Sequence, residues 1–251
     1  MANRNVDKEI RRRTIISFSV FIIVALLGFL GWRQLYKGTK EPKGTTAGLQ
    51  APLRKVLNAN ETVFRAFSNG NLTKTYPKSM AAKKVRVNGK LGMSVNFDPS
   101  KWKLRVVKKP GDTLLLTLAD IKKLPKTEII FDFKCVEGWS QISHWGGVKF
   151  STFMKHYGLN AQSHLGYVGF VTPDKGYYVG IDMQSALHDQ TLLAYEMNDA
   201  PLPDDQGYPL RLMIPIKYGI KSLKRIGTIS FSDQRPKDYW AEQGYDYYSG
   251  L

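Results

Sequence analysis

The hydrophobic pattern of the chain changes character three times. Ile15 to Trp32 (IISFSVFIIVALLGFLGW) holds 18 residues without a charge, and its polar positions are only Ser17 and Ser19. At about 1.5 Å of rise per residue this run spans roughly 27 Å, close to the hydrocarbon thickness of a bilayer, and predicts one membrane helix. Gly38–Gln50 carries no apolar period and reads as a tether. Leu53, Val56, Leu57, Val63, Phe64 and Phe67 then recur at helical spacing, with Asn69-Gly70 as the stop. The polar face of this amphipathic helix is mixed rather than lysine-rich, which predicts packing on the domain rather than on lipid.

From Lys83 the period shortens towards two. Strands are expected at Val85–Val87, Trp102–Val107, Thr127–Phe133, Tyr167–Val171 and Ile226–Phe231, and short helices at Leu118–Lys123 (capped by Thr117), Lys149–Tyr157 and Met183–Leu187. The fold class is therefore α+β, a mixed strand-rich domain after one N-terminal transmembrane helix. The chain divides into a cytoplasmic tail (1–14), a transmembrane signal anchor (15–32), a tether with an amphipathic helix (33–82) and a catalytic or binding domain (83–251).

Composition narrows the chemistry. A single cysteine excludes an intramolecular disulfide, a zinc site of several thiolates and a thiolate-held iron–sulfur cluster. The net charge of +16 separates into 9 basic against 3 acidic residues in 1–43 and 28 against 18 in 44–251, so the body is basic in its own right. Five basic residues precede the apolar run and four follow it closely, and Arg11-Arg12-Arg13 abut it on the N-terminal side, favouring a cytoplasmic N-terminus. Arg12-Arg13-Thr14-Ile15-Ile16 also has the form of a twin-arginine export signal. A nucleic-acid binder is disfavoured, because net charge alone supports it.

Cys135 closes the Thr127–Phe133 strand, beside Lys134 and before a Gly138-Trp139 turn, where a chain presents a side chain into a site. Phe133-Lys-Cys-Val-Glu-Gly-Trp-Ser and Trp145-Gly-Gly-Val resemble the molybdenum-ligating segment of the sulfite oxidase superfamily, especially its bacterial periplasmic methionine sulfoxide reductase branch. Arg86-Val-Asn-Gly, Asp98–Val106, Ala186–Asn198, Gly207–Leu212, Ile214–Lys224 and Gly244–Leu251 follow in the family's order. The resemblance covers about two-thirds of the chain, residues 85–251.

The resemblance implies a sulfite-oxidase-type domain holding one molybdopterin (a single pyranopterin), with Cys135 as catalytic residue and metal ligand. It implies that Arg211 and the Lys221-Ser222-Leu223-Lys224 loop hold the pterin and its phosphate. Asn88 and Thr172 fall at family contact positions, and His188 and Gln206 near the cofactor. The bland reading of Lys217, Lys221, Lys224 and Arg225 is a solvated basic stretch, and Arg211 alternates with leucines and reads equally as a water-facing strand residue. His144, His156 and His164 show no ligand spacing. Further expectations follow from the family: a small-molecule oxo donor or acceptor as substrate, and electrons exchanged with a membrane subunit of haem-containing cytochrome b type. Its place would be the periplasmic side of a bacterial inner membrane, single-pass. The chain ends without room for the dimerisation domain of true sulfite oxidases, so a monomeric catalytic subunit is expected. The rival reading is an anchored periplasmic binding module of the same fold without metal.

Overall fold

The computed structural model describes residues 2–36, 51–68, 71–87 and 89–251. The predicted tether, the Asn69-Gly70 stop and Asn88 lie outside the described residues. Helix α1 (Ala2–Tyr36) extends well beyond the uncharged run at both ends. Its Val6–Gln34 portion is long and apolar enough to cross a membrane, by length and composition, and none of its most apolar stretch is buried against protein.

Helix α2 (Ala51–Ser68) corrects the expectation for its apolar face. It packs on the domain as predicted, but through its polar side. Arg54 and Glu61 are each only 5% exposed, whereas Val56, Val63 and Phe67 are 49%, 55% and 74% exposed. Arg54 donates to the carbonyls of Tyr245 (3.1 Å) and Ala241 (3.4 Å), and Glu61 accepts from Arg235. Buried charge-assisted bonds to a groove of carbonyls and cations hold this face, so the apolar one is left outside.

The elements that follow are β1 (Leu104–Lys109), β2 (Asp112–Leu116), α3 (Leu118–Lys122), β3 (Thr127–Lys134), β4 (Ser140–Lys149), α4 (Phe150–His156), α5 (Asn160–Ser163), β5 (Tyr167–Val171), β6 (Tyr178–Asp182), α6 (Met183–Ala186), β7 (Leu192–Met197), β8 (Ala200–Pro201), β9 (Arg211–Met213), β10 (Thr228–Ser232) and α7 (Tyr239–Glu242). One sheet runs β2-β1-β10-β5-β6, with β1 and β10 parallel; the other runs β3-β4-β7-β8, with β9 also on β7. The Thr117 cap is present as a capping box with Asp120, and Asp182 caps α6. Val85–Val87 joins no ladder, although Val85 is buried; an apolar alternation too short to pair packs as an extended segment instead.

Two apolar clusters follow from the sheets. The larger joins Leu104, Val106, Val168, Phe170 and Ile229 of the first sheet to Val148, Leu193 and Leu212 of the second and to Phe150 and Phe153 of α4. The smaller lies on the other face of the second sheet and holds Ile129, Phe131 and Phe133 of β3 with Trp145, Leu192 and Met213. A sheet covered on both faces requires glycine where backbones crowd. At Gly147, beside a register shift in the β4–β7 ladder, an added Cβ would lie 2.2 Å from the Leu193 carbonyl oxygen. We expect Gly147→Ala to cost roughly 1–3 kcal/mol by overpacking, read as a lowered urea midpoint with an unchanged m-value.

Candidate functional site

The alternation of β3 aims the cysteine. Ile129, Phe131 and Phe133 point to one buried face, and Cys135 continues that phase one step past the strand. The chain then reverses through Val136-Glu137-Gly138. The Cys135 N–H donates to the Trp139 carbonyl at 2.9 Å and the Gly138 N–H to the Cys135 carbonyl at 3.1 Å. Gly138 has φ +86°, which closes this three-residue hairpin loop at little steric cost only for glycine. Cys135 is thereby a buried thiol on the wall of a cavity of about 350 Å³, with Arg211, Ser222 and Lys224 on the same wall system.

Arg211 is placed by β9 and is buried, not solvent-facing. Its Nη1 donates to the Gln206 carbonyl (3.2 Å) and to Gln206 Oε1 (2.6 Å), and its guanidinium lies 4.8 Å from the Trp145 ring centroid and 5.7 Å from that of Phe133. Gln206 is itself fixed, because its Nε2 donates to the Val85 and Arg86 carbonyls at 3.2 and 3.3 Å. Among the described residues no carboxylate pairs with Arg211, and its Nε has no hydrogen-bond partner. Burial holds the guanidinium pKa down, at about 10. Ser222 Oγ is likewise buried with no hydrogen-bond partner. Lys224 Nζ donates to the Gly89 carbonyl at 3.1 Å; burial first, then the Arg211 charge, lowers its pKa to about 7, with Asp205 opposing.

The other expected site residues lie elsewhere. Lys221 turns away from the cavity: its Nζ pairs with the buried Asp238 carboxylate, donates to the Gly180 carbonyl at 3.2 Å and sits 4.5 Å from the Tyr247 ring centroid. Leu223 is core. Thr172 Oγ1 organises a turn, donating to Asp174 Oδ1 at 2.7 Å and accepting from the Tyr177 N–H at 3.1 Å. The His188 ring is taken up by the distant Asn71 carbonyl (3.3 Å) and the neighbouring Gln190 N–H (3.2 Å). The solvated reading of the basic stretch fails as well, since Lys217, Lys221, Lys224 and Arg225 are all buried.

Several wall residues carry no legible sequence signal. Tyr177 lines the cavity, its OH donates to the Ile220 carbonyl, and burial raises its pKa far above the ordinary phenol value. Gly219 packs so closely that a Cβ would meet the Phe133 ring at 2.4 Å. Trp240 and Tyr245 form an aromatic rim. Glu137 also faces the cavity, its Oε2 accepting from Trp139 Nε1 at 3.0 Å. A second cluster, Glu128, His144 and Asp199, is an ion-pair network, because Lys78 lies 2.9 Å from both carboxylates.

A thiol and buried cations facing one cavity in a mixed α+β domain make a site suited to an anionic group. Residues 91–240 match the family described as the oxidoreductase molybdopterin binding domain, and the chain belongs to that family of molybdenum-cofactor oxidoreductases. It is 34% identical over 73% of its length to YedZ1 of Azospira oryzae, provisionally named a protein-methionine-sulfoxide reductase subunit, and covers 70% of that protein. It is 33% identical over 64% of its length to the protein-methionine-sulfoxide reductase catalytic subunit MsrP of Campylobacter jejuni, of which it spans 60%. The sulfane dehydrogenase SoxCD of Paracoccus pantotrophus shows 18% identity and a TM-score of 0.48 over 56% of this chain and 40% of that one, a likeness that carries no weight in the assignment.

The residues present fit such a group. The unpartnered Arg211 Nε and Ser222 Oγ are donors awaiting an anionic acceptor, and a thiol is a donor suited to a highly oxidised soft-ligand metal.

Two outcomes test the electrostatics. Lys221→Met leaves the buried Asp238 carboxylate without its cation and should cost about 3–5 kcal/mol, largely recovered in the Lys221→Met/Asp238→Asn double variant; a double-mutant cycle in urea measures it. Lys224, by contrast, carries its charge at a cost. With a folded pKa of about 7 against 10.5 unfolded, it binds fewer protons folded than unfolded between those values. The cost is therefore complete below pH 7 and fades as pH rises towards 10.5. Lys224→Met should stabilise the cofactor-free protein by roughly 1–3 kcal/mol near pH 6 and by little near pH 10, as read by urea denaturation at the two pH values.

Proposed function

We propose that the chain is the membrane-anchored catalytic subunit of a sulfoxide-reductase-like enzyme, carrying one pyranopterin whose molybdenum is ligated by Cys135. The observation that carries this reading is the Arg211 guanidinium, buried beside the cavity without a carboxylate, its Nε unpartnered and the orphaned Ser222 Oγ on the same cavity. When bound, the cofactor supplies a two-electron metal centre for oxygen-atom transfer.

The chain's own residues hold and shield it. Cys135 offers its sulfur from a hairpin braced by two backbone hydrogen bonds, so the ligand's direction is set before the cofactor arrives. Arg211, Ser222 and Lys224 would take the anionic part of the cofactor, and Gln206 orients Arg211 without neutralising it. Gly89 brings a carbonyl to Lys224, and the preceding Asn88 belongs to the same segment. The Trp240 and Tyr245 rim limits water and presents an apolar approach to a small oxo donor or acceptor.

The Campylobacter relative is named a catalytic subunit, which supports a separate membrane partner for electrons; a haem-containing cytochrome b type suits a chain with no haem-attachment motif. The Val6–Gln34 helix and Arg12-Arg13 support an uncleaved twin-arginine anchor that leaves residues 83–251 on the periplasmic side of the inner membrane, as a monomeric catalytic subunit.

Purified from a cofactor-competent host, the protein should contain about one molybdenum per chain by metal analysis. Cys135→Ser should abolish sulfoxide reduction with a dye electron donor while the unfolding midpoint changes little. Full activity in that variant would refute the ligand assignment, and absence of molybdenum from the wild type would favour the metal-free binding module.

A further inference from the structure

We infer that α2 is an interfacial helix, its outward ridge of Val56, Val63 and Phe67 seated in the headgroup layer of the bilayer that α1 crosses. The inference rests on the reading of α1 as an anchor and goes beyond it, because an anchor alone leaves the domain free to face any direction.

Four observations carry it. The ridge residues follow i, i+7, i+11 spacing and so form one stripe, interrupted only by the exposed Asn60, and that stripe lies opposite the buried Arg54 and Glu61. The helix is held in this roll: Arg54 bonds the Ala241 and Tyr245 carbonyls, Glu61 binds Arg235, and Phe64 stacks on Tyr248 with ring centroids 6.3 Å apart. The ridge is thus presented, not merely uncovered by chance rotation. Lys55 Nζ lies 3.3 Å from the carbonyl of Gln34, the last residue of the candidate membrane span, which brings the start of α2 to the level where that span leaves the hydrocarbon. Finally, only residues 37–50 separate the two helices, a length that keeps α2 within about 50 Å of the bilayer however the chain runs.

A ridge of three large apolar side chains is too small to recruit a soluble protein to vesicles, but tethering makes the second contact intramolecular, and a weak contact then suffices. An asparagine on the stripe is compatible with this depth, because the headgroup layer, unlike the hydrocarbon, still offers hydrogen-bond partners. The basic excess of the body, 28 cations against 18 anions in residues 44–251, favours anionic headgroups for the body as a whole. Lipid is favoured over a protein occupant because the tether supplies lipid to every molecule. The seating has a consequence for the site. Arg54 grips the Ala241–Tyr245 segment, and Trp240 and Tyr245 line the cavity, so a seated α2 holds the cavity rim about one helix diameter, roughly 10 Å, from the headgroups.

The test uses the full-length holoenzyme in vesicles of phosphatidylethanolamine and phosphatidylglycerol, with single nitroxide labels at Phe67→Cys, Val63→Cys, Thr62→Cys and Phe21→Cys. The unsubstituted chain gives the background from Cys135. Accessibility to oxygen against a water-soluble nickel chelate is the readout. The expected result is an oxygen-to-nickel ratio at positions 67 and 63 several-fold above that at 62, approaching that at 21. A lipid-like label at 21 with water-exposed labels at 67 and 63 overturns the interfacial helix alone. A water-exposed label at 21 overturns the anchor itself. Labels at 67 and 63 shielded from both reagents mean a protein cover and overturn the lipid assignment.

Discussion

A charged side chain taken out of water must be answered by another charge or by a full set of hydrogen bonds, and the segment from Arg211 to Arg225 buries five of them. Three are answered by carboxylates: Lys217 by Asp182, Lys221 by Asp238 and Arg225 by Asp204. Asp182 and Asp238 also cap α6 and α7, accepting from the Ser185 and Ala241 N–H groups, so each pair fixes a helix as well as a lysine. Lys217 donates to the Tyr248 carbonyl, and the Tyr218 N–H to that of Ser249, which fastens the C-terminal residues to the same segment. The cations that look like a solvated stripe in the sequence are the internal fasteners of the cavity wall.

Of the remaining two, Arg211 and Lys224, Arg211 stands where the strands of the site meet. Its guanidinium rests on Trp145 of β4 and Phe133 of β3, the strands joined by the Cys135 hairpin. One small apolar cluster therefore positions both the thiol and the uncompensated cation, and Gly219 lets the fastened segment close directly on Phe133. Displacing Phe133 would move sulfur and guanidinium together. Such coupling means that the thiol and the cation are set relative to each other by the fold, before any ligand binds.

What the sequence made legible follows the range of each signal. Cys135, the capping box at Thr117 and the helix after Lys149 depend on neighbours close in sequence, and they stand where expected. Arg211, Ser222 and Lys224 were placed by family likeness, and the structure brings all three to the cavity of Cys135. Lys221 parts from Ser222 and Lys224 because neighbours one and three apart on an irregular segment face different ways; its destination depends on Asp238, which lies 17 positions on. Thr172 is likewise engaged by a local turn, and His188 by the Asn71 carbonyl 117 positions away, neither of which composition reveals. The amphipathic helix forms and packs on the domain as expected, but with its polar face inward. Its period was correct, but the rule that apolar faces turn inward assumes a purely aqueous exterior, and Arg54 and Glu61 found better partners in the domain than Val56 and Phe67 did.

The choice of partner for Arg211 completes the electrostatic logic. A carboxylate at position 206 would hold the guanidinium equally well, and would also cancel its charge, leaving an anionic ligand to compete with a permanent internal one. Gln206 offers a carbonyl oxygen at 2.6 Å and keeps its amide for Val85 and Arg86, so it sets direction while leaving the charge intact. Lys224 lies nearby, and burial first, with the undiminished Arg211 charge adding to it, lowers its pKa to about 7. Among the described residues the site thus holds two adjoining cations, one buried without a counter-anion and one whose proton burial has loosened. An anion bound beside them would favour the charged lysine and offer an acceptor to the arginine's remaining donor. Relief of buried, under-compensated charge, more than of repulsion, is what such an anion would supply, and the three carboxylate-paired cations of the same segment hold the geometry in which it would do so.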